Sequence, residues 1–135
     1  MNVEKTLTFP VKIGEDVVRL RQVVRAEAIA IGLSLVDQTK VITAASEIAR
    51  NTIDYGKGGD VTIEVVNTSG RRGVKVVFAD NGPGIVDMEK ALTDGYTTGG
   101  GLGLGLSGAK RLVNEFDVKS TVGHGTVVTL IRWKA

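Results

Sequence analysis

The sequence contains no cysteine and only one histidine, His124. Disulfides, thiolate catalysis and cysteine-based zinc sites are therefore excluded, and a Ser-His-Asp triad would depend on His124 alone. Neither sign of charge dominates: seventeen Lys and Arg stand against fifteen Asp and Glu, for a formal net charge of +2. The basic residues are dispersed, so charge gives no argument for nucleic acid. No run approaches the roughly 18 apolar residues of a membrane span. The N-terminal segment, Met1 to Thr6, lacks both the basic start and the apolar stretch of a signal peptide. These absences predict a soluble, cytoplasmic protein without membrane contact. At 135 residues, 42% hydrophobic and 24% charged, the chain suits one globular domain over 1–135.

Glycine is what the sequence has in excess. Eighteen are present, half of them between Gly82 and Gly108, so the enrichment is a local device. Around that segment the patterning changes several times. Residues from about Thr6 to Ile13 alternate and include Pro10, which suits an edge strand. Val17, Leu20, Val24, Ala28 and Ile31 recur at helical spacing after Glu15, and Gly32 stands at the stop. Ser34 with Asp37 resembles a capping box opening a second helix to about Tyr55. Val61, Ile63 and Val65, then Val74, Val76 and Phe78, read as a hairpin around the polar turn Asn67–Gly73. Val86 to Leu92 suggests one or two helical turns, and a third helix is expected from about Leu104 to Phe116. A closing hairpin turns at Gly123-His124-Gly125. Hairpins mixed with helices predict an α+β fold, a two-layer sandwich with a mostly antiparallel sheet and helices on one face.

Three groups of residues carry chemical potential. On the second helix Ile42, Ala45, Ala49, Thr52 and Ile53 form one stripe, while Glu47 and Asn51 neighbour each other on the opposite side with Ala44. An amide oxygen and a carboxylate so placed suit Mg²⁺ and the orientation of a nucleophile, although exposed polar helix faces are ordinary. Asp80-Asn81-Gly82-Pro83-Gly84-Ile85 directly follows a strand. Its glycines let backbone approach a flat ligand, and Asp80 suits acceptance from an exocyclic amine, although Asn-Gly and Pro-Gly are also common turns. Finally, Thr97 to Gly108 combines free backbone N–H groups with a helix start, the physics of phosphate cradling.

Other phosphate motifs fail. Gly103-Leu104-Gly105-Leu106-Ser107-Gly108 spells a dinucleotide fingerprint, but a polar loop and not a strand precedes it. No Gly-Lys-Ser or Gly-Lys-Thr exists for a Walker loop, and His-Arg-Asp and Asp-Phe-Gly are absent. His124, between glycines, reads as a turn residue.

In this order, a helical Glu-x-x-x-Asn, a strand with Asp-x-Gly-x-Gly, a glycine-rich lid entering a helix, and Gly-x-Gly-Thr in the last hairpin resemble the ATP-binding fold of the GHKL superfamily. Gyrase, Hsp90 chaperones, histidine kinases and MutL proteins share it. The stretches Ala45–Asn51, Asp94–Gly100 and Lys110–Phe116 resemble the RsbT-like serine/threonine switch kinases of bacterial partner switching and the stressosome. The resemblance implies ATP and Mg²⁺ as cofactors, with Asn51 on the metal and Glu47 polarising the attacking hydroxyl. Asp80 would take the adenine amino group, Gly82, Gly84 and Ile85 would shape the base pocket, and Thr126 would line its rear. Thr98, Gly99, Gly100, Gly101, Leu102, Gly103, Leu104 and Gly105 would wrap the phosphates. It further implies a STAS-domain substrate and, once the kinase is released, a PP2C-type phosphatase as partner. Within these 135 residues neither the second domain of gyrase-type ATPases nor the phosphoacceptor helices of histidine kinases is expected. The alternative is a nucleotide-gated binding module, such as an anti-sigma factor or phosphatase activator, with little kinase activity.

Overall fold

The structure, a computed structural model, describes residues 1–85 and 102–135, the first four of the second stretch by backbone alone. Among the described residues, five strands and three helices follow in the order β1 (Asn2–Val11), α1 (Gly14–Ala30), α2 (Leu35–Asp54), β2 (Gly59–Thr68), β3 (Arg71–Asp80), α3 (Leu102–Arg111), β4 (Glu115–Thr121) and β5 (Gly125–Trp133). The strands form one sheet in the order β1-β2-β3-β5-β4, and every pairing is antiparallel. Pro10 thus lies on an edge strand, where its missing N–H disrupts no second partner.

The helix ends follow local chemistry. Asp16 closes the start of α1, its Oδ2 accepting the N–H groups of Lys12 (2.8 Å) and Ile13 (3.1 Å). Gly32 follows α1 at φ +84°, a conformation glycine adopts without a Cβ penalty. Ser34 Oγ accepts the Asp37 N–H at 3.1 Å and caps α2. At the far end of α2, Lys57 and Gly58 take φ of 60° and 89° and turn the chain into β2.

The core lies between the helices and one face of the sheet. Leu20, Val24 and Ala28 of α1 and Val41, Ala45, Ile48 and Ala49 of α2 meet Val11, Val61, Ile63, Val74, Val76, Phe78, Val128 and Leu130 of the strands. These strand residues alternate, as a sheet covered on one side requires. Val66, Ile131 and Trp133 form a smaller cluster of their own. The observed architecture agrees with the expected α+β sandwich.

Two details correct the sequence reading. Ala44, assigned to the polar side of α2, is fully buried, because α2 packs against both α1 and α3 and so has two covered flanks. The third helix begins at Leu102 and ends at Arg111, and Phe116 belongs to β4, paired with Leu130. Asn114 redirects the chain there: its N–H donates to Ile131 O (3.0 Å) and its Oδ1 accepts the Trp133 N–H (2.7 Å), which captures the segment on β5. The turns expected over Val86–Leu92 lie outside the described residues. Among the described residues no helix is long and apolar enough to cross a membrane.

Candidate functional site

The C-terminal half of α2 and the C-terminal end of β3 converge on one pocket. Ile48, Asn51, Thr52, Tyr55, Gly56, Asp80, Gly84, Ile85, Leu106, Thr126 and Val128 line it, with about 380 Å³ of empty space partly open to solvent. Its apolar lining with a few polar groups suits a small-molecule site.

Asp80 is the acidic member. It ends β3 opposite Thr126 of β5 and Gly59 of β2. Its Oδ1 accepts the Gly82 N–H (2.9 Å) and the Thr126 N–H (3.3 Å). The carboxylate is thereby fixed through one oxygen, and Oδ2 approaches Gly56 so closely that a Cβ there would sit 2.5 Å from it. The neighbouring backbone is equally tight. A Cβ on Gly125 would fall 2.0 Å from Asp80 O, and one on Gly84 would fall 2.6 Å from Thr121 O. Both residues have positive φ, +110° and +78°, so glycine is needed for conformation as well as space.

Asn51 contributes the amide. Its Nδ2 is buried and has no hydrogen-bond partner among the described residues. Buried donors in folded proteins are overwhelmingly paired, so an orphan lining a pocket points to a ligand acceptor. The neighbouring Thr52 is already satisfied, its Oγ1 donating to Ile48 O at 2.9 Å. Glu47 lies one helical turn before Asn51, exposed to solvent and outside the pocket lining. The two are surface neighbours on the helix, with the carboxylate toward open solvent.

Of the remaining expected residues, Gly84, Ile85 and Thr126 line the pocket, and Gly82 supports it from behind, packed against Gly56. Leu102, Gly103, Leu104 and Gly105 form the first turn of α3. Thr98, Gly99, Gly100 and Gly101 lie outside the described residues. The sequence reading missed Gly56, Thr52, Tyr55 and Ser120. Ser120 Oγ accepts the Ile85 N–H at 2.7 Å and lies 2.9 Å from Thr126 Oγ1. Gly56 carried a signal as the first glycine after the helix, but it reads there as a mere helix stop.

Among the described residues no three His, Cys, Asp or Glu side chains gather to hold a metal ion. A cation here would take an amide oxygen from the protein and its other ligands from a polyanionic ligand and water, as Mg²⁺ commonly does.

An antiparallel sheet roofed by helices, with an amide from a helix and a carboxylate from a strand end facing one pocket, defines an α+β ligand-binding domain. The family of histidine kinase-, DNA gyrase B- and HSP90-like ATPases matches residues 36–135. The serine/threonine-protein kinase RsbT of Bacillus subtilis (strain 168) is 45% identical over 118 residues, covering 87% of this chain and 89% of that protein. The anti-sigma F factor of Thermoanaerobacter sp. (strain X514) is 31% identical over 119 residues, covering 84% and 82%. The crystal structure of the RsbU and RsbW domains of Rv1364c from Mycobacterium tuberculosis has a TM-score of 0.64 at 19% identity. It covers 97% of this chain, which spans 33% of that one, and the likeness is one of fold. The chain belongs to the family of histidine kinase-, DNA gyrase B- and HSP90-like ATPases, and ATP use follows from that membership.

Proposed function

We propose that residues 1–135 act as one ATP- and Mg²⁺-dependent protein serine/threonine kinase domain that phosphorylates a STAS-domain partner in a cytoplasmic stress-signalling partner switch. After transfer the kinase is released to activate a PP2C-type phosphatase. The observation that carries the reading is the meeting of Asn51 and Asp80 in one pocket, with the Asn51 amide nitrogen buried and unpartnered among the described residues. The 45% identity to a relative named as a serine/threonine-protein kinase supports the choice of reaction.

In this reading Asp80 accepts from the adenine amine through Oδ2, its Oδ1 being committed to backbone N–H groups. Gly84, Ile85, Ile48 and Val128 enclose the base, and Thr126 stands at its rear. Asn51 holds the metal through its amide oxygen, and Mg²⁺ when bound supplies charge neutralisation on the phosphates. The glycine-rich stretch from Thr98 to Gly105 wraps the phosphates with its backbone N–H groups. The partner's Ser or Thr hydroxyl oxygen forms a bond to the γ-phosphorus, the bond from phosphorus to the β–γ bridging oxygen breaks, and ADP leaves. Glu47, on the open side of the site, takes the hydroxyl proton. Its exposure suits this role, because the acceptor belongs to a second protein that must approach from solvent.

The test is purified protein with radiolabelled ATP, Mg²⁺ and a STAS-domain protein. Label on a Ser or Thr of the partner is expected. ATP binding without transfer would overturn the kinase reading in favour of a nucleotide-gated module, a role to which the 31% identity to an anti-sigma F factor lends support.

A further inference from the structure

The wall of the pocket from Asp80 to Ile85 leaves the sheet at the end of β3, and backbone contacts alone do not fix it. Gly123 N–H donates to Pro83 O at 2.8 Å, which ties the tip of the β4–β5 hairpin to this wall. A further tie on this side comes from a side chain. Ser120, half-buried on β4, accepts the Ile85 N–H through Oγ at 2.7 Å. The same oxygen donates to Gly125 O at 3.2 Å and stands 2.9 Å from Thr126 Oγ1.

A hydroxyl has one proton and two lone pairs. Ser120 is therefore fully used when it accepts from Ile85 and Thr126 and donates to Gly125. One oxygen thus joins both walls of the pocket: Ile85 on one side, and Gly125 and Thr126 on the other. Gly125 lies with no spare room against Asp80 O, and Thr126 N–H holds Asp80 Oδ1. A shift of this hairpin would move the carboxylate as well.

We propose that Ser120 is a positioning residue for the nucleotide site, a clamp that sets the separation of the Ile85 and Thr126 walls and through them the orientation of Asp80. It touches no reacting atom. The proposal rests on the ATP-site reading above and adds a residue to it. Removing the hydroxyl leaves the Ile85 N–H without its acceptor in a half-buried place, and the Ile85 wall free to drift. A cost near one decade of affinity is the expected scale for such a loss. Because the clamp acts on the base pocket, ATP and ADP should weaken alike, and the transfer step should be spared.

The experiment measures ATP and ADP binding by calorimetry and KM and kcat with the partner substrate, for wild type, Ser120→Ala and Ser120→Thr. In Ser120→Ala the Kd of both nucleotides and the KM for ATP should rise about tenfold with kcat within about twofold, and Ser120→Thr should restore binding. A thermal melt of the ligand-free proteins checks folding. Should Ser120→Ala fail to fold, Ser120→Cys keeps a weak acceptor and should give an intermediate Kd. Wild-type affinity in Ser120→Ala would overturn the clamp and leave the ATP site standing. Weakening confined to ATP would also overturn it, since that would place the defect at the phosphates. No nucleotide binding by wild type would overturn both.

Discussion

Replacing Gly56 by alanine tests the pocket with one methyl group. Gly56 does not have positive φ, so alanine meets no backbone penalty there, and any effect comes from contact. The new Cβ would lie 2.5 Å from Asp80 Cγ and Oδ2, about 0.9 Å short of the 3.4 Å at which ordinary contact begins. Gly82 also packs closely on Gly56, since a Cβ on Gly82 would come within 2.7 Å of its Cα. The expected response is a shift of the Asp80 carboxylate, the side-chain group nearest the new Cβ. A displacement of that size breaks the 2.9 Å bond from Gly82 N–H or the 3.3 Å bond from Thr126 N–H. A hydrogen bond to a charged group contributes about 1.5–3 kcal/mol, and carried into the binding equilibrium this corresponds to roughly 10- to 150-fold. Overpacking costs stability as well, about 1–3 kcal/mol, or a drop of several degrees in melting temperature. Calorimetric titration of Gly56→Ala with ATP and with ADP reads the first quantity, and a thermal melt reads the second. A folded Gly56→Ala protein that binds both nucleotides within about twofold of wild type would refute the role given to Asp80.

Three further outcomes are expected. Asn51→Ala should abolish Mg²⁺-dependent nucleotide binding and phosphoryl transfer together while leaving ligand-free stability nearly unchanged, since Nδ2 makes no hydrogen bond to another described residue; intact transfer would remove the metal assignment. Glu47→Ala should keep ATP affinity and slow transfer by about 10²-fold or more, as loss of a positioned base does; normal turnover would count against it. Backbone N–H groups of Lys12 and then Ile13 hold the Asp16 carboxyl below the usual aspartate range. Its contribution is therefore fully present above the unfolded-state pKa of about 3.9 and lost as pH falls through the lower folded value. Urea unfolding at a series of pH values should show a shallower acid loss in Asp16→Asn, and identical profiles would refute the assignment.

Much of this architecture is legible in the chain because its signals are local. Ser34 caps α2 and Gly32 ends α1 through bonds and dihedrals within a few residues. The strand faces follow from alternation, as in Val61, Ile63 and Val65. Strand neighbours do not follow, because period-two patterning fixes which side a residue faces and says nothing about which strand lies beside it. The insertion of β5 between β3 and β4 is such a case. Leu112, Val113 and Phe116 fit a helical stripe, yet Phe116, Val118 and Ser120 also alternate. The bonds of Asn114 to β5, distant in sequence, decide between them. At the site, Asn51 and Asp80 stand out because their residue types carry chemistry. Gly56 and Ser120 do not, since their importance lies in what their neighbours press against.

The placement of β5 has a consequence for how the molecule is made. Until synthesis has passed Trp133, the inner side of β3 has no partner and remains an open edge of unpaired backbone groups. Thr126, which steadies Asp80, arrives on that same late strand. A nascent polypeptide carrying α1 through β4 thus has no finished pocket, and its open edge is an aggregation hazard until β5 arrives.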